Sequence, residues 1–258
     1  ATPKAEEAPA EEAPTEEAPV EEAPTEEAPT EEAVAEEAPV DPTTIRPFEI
    51  AVPDAVLEDL RARLARTRLP DQLEGADWDY GTELDYLTEF ITYWRDEFDW
   101  REQERRLNEF DQFKTVIDDL DIHFIHQRSP EPDAVPLIIT HGWPGSIAEF
   151  TKIIGPLTDP EAHGGQASDA FHIVAPSLPG YGFSDAPREP GYGPERMATI
   201  NAQLMARLEY DRYGTQGWAE ADYNIRRWTQ MPRGGHFAAF EQPELLVADV
   251  RAFYRDLR

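Results

Sequence analysis

From Glu6 to Val40 the pentad Glu-Glu-Ala-Pro-x recurs seven times, interrupted once where Val34 stands for the proline. A proline every fifth residue forbids a continuous helix, because each one removes a backbone donor and its ring collides with the preceding turn. The paired Glu side chains repel one another, and little but Ala and Val is available to bury. Burial therefore cannot offset the entropy of ordering the segment. Residues 1–43 are expected to be a disordered acidic tail, either a solubilising spacer or an arm that binds a surface or partner. Folding falls to residues 44–258, enough for one sizeable core.

The chain carries 53 acidic and 23 basic side chains, a formal net charge of −30. Fourteen Glu, Asp41 and Lys4 belong to the tail, so residues 44–258 keep 38 acids against 22 bases. That balance argues against a nucleic-acid partner, since phosphate neutralisation needs clustered Lys and Arg. Cysteine is absent, which excludes disulfides, a thiol nucleophile and a Cys-based metal site. The charge-free stretch 134–148 is too short, and too broken by His141, Gly142, Pro144 and Gly145, to span a bilayer. No basic n-region followed by an apolar h-region opens the chain. A cytoplasmic protein with no membrane span is the expectation.

The body changes grammar near residue 130. Residues 45–128 are dense in aromatics and charge. Asp54 reads as an N-cap for a helix with Val56, Leu57, Leu60 and Leu64 on one face. A second helix over residues 83–98 repeats Leu84, Leu87, Ile91, Trp94 and Phe98. Residues 113–117 and 122–126 read as two strands joined through Asp118-Asp119 in a hairpin. From Val135 short apolar strands (136–140, 171–176) alternate with loops and helices (147–157, 195–209), the pattern of an α/β fold with a mostly parallel sheet.

Three segments carry chemical content. His141-Gly-Trp-Pro-Gly-Ser146 follows a strand, and its glycines and proline can turn backbone N–H groups into the space above the sheet, as an oxyanion hole requires. It also reads as an ordinary strand-to-helix turn with Ser146 as N-cap. Leu178-Pro-Gly-Tyr-Gly-Phe-Ser-Asp185 reads as a structural loop, or as a pocket rim walled by Tyr181 and Phe183. In Arg233-Gly-Gly-His-Phe-Ala-Ala-Phe-Glu-Gln-Pro243 a histidine sits on a Gly-rich turn between a strand over 225–231 and a helix starting near Pro243. Such a histidine suits a general base, although a lone one is more often structural or merely exposed.

Taken together and in order, these segments resemble the microsomal-type epoxide hydrolases, an α/β-hydrolase family with its own N-terminal region. The resemblance covers nearly everything after the tail. Arg46-Pro-Phe48 is similar to the family's opening. Trp78-Asp-Tyr-Gly-Thr82, Tyr93-Trp94, Asp99-Trp-Arg101 and Leu107-Asn108 are similar to its N-terminal signature, and Phe124-Ile-His-Gln-Arg-Ser129 continues the match. Asp118-Asp119 departs from it, the family more usually having Asp-Gly in the hairpin. The resemblance implies a fold of truncated α/β-hydrolase type, preceded by a helix-rich region with a hairpin. Its expected units are residues 1–43, 44–130, 131–217 and 218–258. It implies a lipophilic epoxide as substrate in intact relatives, in detoxification or aromatic hydrocarbon catabolism, with no cofactor or metal.

In the implied mechanism an Asp on a strand-to-helix elbow attacks an epoxide carbon, two lid tyrosines protonate the ring oxygen, and a histidine then activates water against the ester. The base maps to His236, and the Trp143 backbone N–H to the oxyanion hole. The nucleophile does not map. The family elbow is Gly-x-Asp-x-Gly, whereas Gly217 is followed by Trp218-Ala219-Glu220-Ala221, which puts Ala219 at the attacking position. Residues 218–228 are similar to family sequence from much nearer the C-terminus, so an internal deletion between 217 and 218 is expected, with nucleophile, lid tyrosines and orienting acid lost. Glu220 and Asp222 are the nearby carboxylates, read as surface acids or as a misplaced substitute. Two function classes stay open: an epoxide hydrolase by descent, inactive in this form, or a non-catalytic binding protein of the same origin. A dehalogenase or esterase shares the His-Gly-x-Pro logic but not the Trp78–Asn108 signature.

Overall fold

A computed structural model of the chain describes residues 41–211, 214–215, 227 and 229–255. The acidic repeat and the Ala219 junction lie outside the described residues. Six strands form one mixed sheet: β1 (Arg46–Pro47), β2 (Gln112–Ile117), β3 (Leu120–Gln127), β4 (Val135–Ile138), β5 (Phe171–Pro176) and β6 (Gly214–Thr215), in the order β1-β2-β3-β5-β4-β6. The first three are antiparallel neighbours, and β3 joins β5 antiparallel. From there β5, β4 and β6 run parallel. This is an α/β-hydrolase arrangement in which the hairpin supplies the antiparallel edge.

The hairpin register brings Ile117 opposite Leu120, leaving Asp118 and Asp119 as a two-residue turn with φ of 56° and 59°. Both residues therefore occupy the left-handed region, which a type I′ turn requires and which Asp adopts more readily than most residues. Asp118 is also held by the Arg196 guanidinium, Nε to Oδ2 at 2.5 Å. The tertiary ion pair explains an aspartate there without recourse to propensity.

Strands β3, β4 and β5 place apolar residues on both faces, and their period of two splits the core. Ile125, Leu137 and Ile173 point to one side with Ile147, Phe150, Ile154 and Leu157. Phe124, Ile138 and Val174 point to the other, against Ile200, Leu204 and Met205. The second layer is α5 (Pro194–Arg207). The first is built from the 3-10 turn Ile147–Phe150, the short α4 (Ile154–Thr158), and α7 (Pro243–Arg255), which adds Val247. Packing α7 on this face brings the residues just before it beside the Ile147–Phe150 turn that follows β4. Its far end is anchored where Arg255 grips the fully buried Asp169 carboxylate with both guanidinium arms.

Helices α1 (Asp54–Ala65), α2 (Leu84–Asp96) and α3 (Trp100–Leu107) precede the hairpin. Asp54 is not the cap of α1. It is the first helical residue, Pro53 takes the N-cap position without a side-chain bond, and the Asp54 carboxylate instead accepts from Arg101 at 2.5 Å. Glu83 caps α2 by accepting from Asp85 and Tyr86. The signature residues around α3 act as brackets. Glu104 accepts from Val52 N at 2.7 Å and from Arg101 at 2.6 Å. The Asn108 amide pairs with both backbone groups of Ile50, at 2.9 and 2.8 Å, as a strand neighbour would. Where residues 225–231 are described, they are not in a strand. Arg227 and Thr229 instead both bond Asp249 on α7, at 2.8 and 2.7 Å, which diverts the chain along that helix. The described ladder partner of β6 is β4.

Candidate functional site

The loop after β4 is fastened by a buried histidine. His141 is buried, and its Nε2 accepts from Leu178 N at 3.1 Å. That bond leaves Nδ1 to carry the proton toward Gly142 O at 3.2 Å. Burial holds the His141 pKa below the usual imidazole value, so the ring is a neutral tie between the first and second motif loops. Tyr181 stacks edge-on against it, ring centroids 5.2 Å apart. Phe183 turns the other way, onto Phe48 and His123. The second loop is thus built mainly as structure. Gly182, at φ 52°, lies so close to Ser177 that a Cβ would sit 2.7 Å from Oγ.

Gly142 through Gly145 form a tight turn closed by Gly145 N donating to Gly142 O at 2.8 Å, with the Trp143–Pro144 peptide cis. Ser146 then caps the 3-10 turn, accepting from Ala148 N. The indole of Trp143 is 76% exposed, and among the described residues no acceptor meets its backbone N–H. A Cβ on Gly145 would fall 1.4 Å from Oε1 of Glu149, so a side chain there would require the Glu149 carboxylate to swing away. Sequence reasoning missed Glu149, although Ser146-x-x-Glu149 has the spacing of a capping box and could have flagged it.

His236 arrives at this loop from the other end of the chain. Its Nε2 lies 3.0 Å from the carbonyl oxygen of Trp143. A carbonyl only accepts, so Nε2 is the protonated nitrogen, and in the neutral ring the lone pair falls on Nδ1. The two sequence-predicted residues are brought together, but through the Trp143 carbonyl and not its N–H. Two further contacts hold the segment. Lys152 Nζ donates to Phe240 O at 2.9 Å and lies 4.1 Å over the Phe240 ring, tying α6 (Ala238–Glu241) to the first loop's helical turn. Glu241 accepts from Gly235 N and Phe237 N, at 2.7 and 3.0 Å. Neither Lys152 nor Glu241 stood out in the sequence, since each reads as an ordinary surface charge. An apolar groove of about 420 Å³ lies elsewhere, lined by Leu57, Leu60, Phe90, Tyr93, Trp94 and Trp100. No described helix is long and apolar enough to cross a membrane.

Comparison with known proteins gives two family matches. The model described as epoxide hydrolase N terminus matches residues 45–150, and that of the alpha/beta hydrolase fold matches residues 135–218. Among curated proteins, epoxide hydrolase 1 of Oryctolagus cuniculus is 43% identical over 175 residues, 66% of this chain and 38% of the relative. A relative described as an epoxide hydrolase, from Stigmatella aurantiaca (strain DW4/3-1), is 50% identical over 171 residues, 66% of this chain and 39% of the relative. Among solved structures, juvenile hormone epoxide hydrolase of the silkworm Bombyx mori superposes with a TM-score of 0.60 at 38% identity, over 67% of this chain and 46% of that one. Aspergillus niger epoxide hydrolase gives 0.57 at 38% identity, over 64% and 43%. The chain spans about two-fifths of the length of these curated relatives.

Proposed function

The chain belongs to the epoxide hydrolase family, and from that premise we propose that it retains the family's oxyanion loop and general base while lacking the group that attacks the epoxide. In an intact enzyme of this kind a carboxylate oxygen bonds to an epoxide carbon as the C–O bond breaks, and an acid protonates the ring oxygen. The histidine then takes a proton from water, and the resulting hydroxide attacks the ester carbonyl. Backbone N–H groups hold the oxyanion until it collapses to diol and free carboxylate. His236 is the proposed base and the Trp143 N–H the proposed oxyanion donor. By itself, this chain is proposed not to convert lipophilic epoxides to diols.

The carrying observation is Gly217-Trp218-Ala219-Glu220-Ala221, which puts a methyl group where the family elbow holds its nucleophile. The hydrolase-fold match ending at residue 218 supports a junction there. A displaced carboxylate is a poor substitute, because misplacing a reacting atom by about 1 Å costs on the order of 100-fold in rate. The test is diol formation from styrene oxide by the purified chain. No turnover above the uncatalysed rate is expected, and His236→Ala is expected to change nothing. Turnover that His236→Ala abolishes would show that another carboxylate, Glu220 first, performs the attack.

A further inference from the structure

We propose that Glu241 is a positioning residue for His236, its carboxylate clamping the two peptide N–H groups that flank the imidazole and so fixing where the ring meets the Trp143 loop. The inference rests on the reading of His236 as the surviving general base. Its geometry is specific. Oε2 accepts from Gly235 N at 2.7 Å and Oε1 from Phe237 N at 3.0 Å, so both oxygens are engaged and His236 is bracketed on each side. A carboxylate suits the task because it accepts twice and donates nothing, which matches two converging N–H groups.

The neighbouring residues make room for this clamp. A Cβ on Gly235 would stand 3.1 Å from both Glu241 oxygens, and Gly234, at φ 112°, would press a Cβ 3.0 Å from Gln242 Cγ. Gln242 in turn accepts from Arg233 Nε at 2.8 Å, closing the base of the loop. Gly234, Gly235, Glu241 and Gln242 are therefore one unit, and the imidazole projects from its middle. The loop is exposed around His236, and the neighbouring Phe237 ring meets the imidazole edge-on with centroids 4.9 Å apart, so the Phe237 N–H bond to Glu241 also seats that ring. The imidazole's position depends on these backbone bonds and on the 3.0 Å contact from Nε2 to Trp143 O. Glu241 touches no reacting atom and acts only through His236.

The experiment uses the full chain with ¹⁵N-labelled histidine, His236 being assigned by its loss in His236→Ala. Long-range ¹H–¹⁵N spectra at a pH where imidazoles are neutral report the tautomer. Amide exchange at Gly235 and Phe237 reports the clamp. His236-dependent hydrolysis of 4-nitrophenyl acetate reports function. Glu241→Gln keeps the side chain's size but turns an NH2 toward one of the two N–H groups, and Glu241→Ala removes both bonds. Both variants are expected to shift His236 from the Nε2–H form toward a tautomer mixture and to expose both amides. The His236-dependent kcat is expected to fall about 10- to 100-fold, with KM little changed. An unchanged tautomer fraction and unchanged amide protection in Glu241→Gln overturn the proposal, and this variant decides if Glu241→Ala fails to fold. If the unsubstituted chain shows no His236-dependent ester hydrolysis, the base reading falls, while the spectra still decide the clamp.

Discussion

His236 and Trp143, 93 residues apart in the chain, meet through a hydrogen bond from imidazole Nε2 to the main-chain carbonyl at 3.0 Å. The proton thus sits on the nitrogen nearer the Gly142–Gly145 turn. In a base that must take a proton from water, the lone pair has to face the water, and an acid on the opposite nitrogen is what enforces that orientation. Here the Nε2–H is held by the Trp143 carbonyl, which fixes that nitrogen as the donor and leaves the lone pair of the neutral ring on Nδ1.

On the proposed reading, in which nucleophile, ring-opening acid and orienting acid are all lacking, restoring one of them is expected to restore little. Ala219→Asp would supply a carboxylate at the elbow position and neither of the other two groups. Residues that act as a unit do not return activity additively. Diol formation from styrene oxide by Ala219→Asp is expected to stay at the uncatalysed rate. Clear turnover in chromatographic diol analysis would show that the remaining groups suffice once a nucleophile is present.

The hairpin turn offers a stability test. Asp119 is exposed at φ 59°, a conformation that costs a non-glycine residue about 1 kcal/mol. Asp119→Gly is expected to raise the melting temperature by about 2–4 °C for a body of this size. Asp118→Gly removes the same strain but also the Arg196 ion pair at 2.5 Å, and is expected to give no gain or a loss. Thermal scans of the two variants separate the effects, and equal behaviour would refute the asymmetry.

Asp169 provides a larger effect. Its carboxylate is wholly buried and held by Arg255, whose guanidinium keeps its pKa below the ordinary carboxylate value. Arg255→Met leaves that charge without its fork, and because about half of the Arg255 side chain is in solvent the expected cost in urea unfolding is about 1–3 kcal/mol. Because the folded pKa is depressed, the stabilisation is complete above the unfolded pKa near 4 and is lost as pH falls below it. A loss under about 1 kcal/mol would mean that Arg251 or water takes over the pairing.

His123 sets a second pH dependence. It is fully buried between Ser177 Oγ at 2.9 Å and Gln112 Oε1 at 3.0 Å, and burial pushes its pKa down to about 3. The unfolded chain binds the proton from about pH 6.5 downward while the folded one does not. Stability is therefore present above pH 6.5 and drains as pH falls toward 3, by up to about 1.4 kcal/mol per pH unit. In His123→Gln that contribution should vanish. Parallel slopes for the two proteins between pH 6.5 and 4 in urea titrations would contradict the account.

What the sequence determined by itself was local. Period-two strands at β2, β3 and β5, the three- and four-residue spacing of α2, the Asp118-Asp119 turn, Ser146 as a cap and the start of α7 at Pro243 all follow from interactions within a few residues, which a linear reading can count. His236 and Trp143 were named through the resemblance that their motifs carry, and the structure brings the two segments within hydrogen-bonding distance. Tertiary structure decided everything that depends on which distant partner arrives first. Asp54 looked like a cap, yet Arg101 from another helix took its carboxylate, and the helix began one residue earlier in register. Residues 225–231 have a strand's composition, yet Asp249 drew Arg227 and Thr229 along α7. Glu241 and Lys152 read as surface charges until packing placed them against the backbone beside His236. The same holds for which imidazole nitrogen carries the proton. A hydrogen bond's direction is set by the acceptor that folding brings within 3 Å, and no periodicity in the chain encodes it.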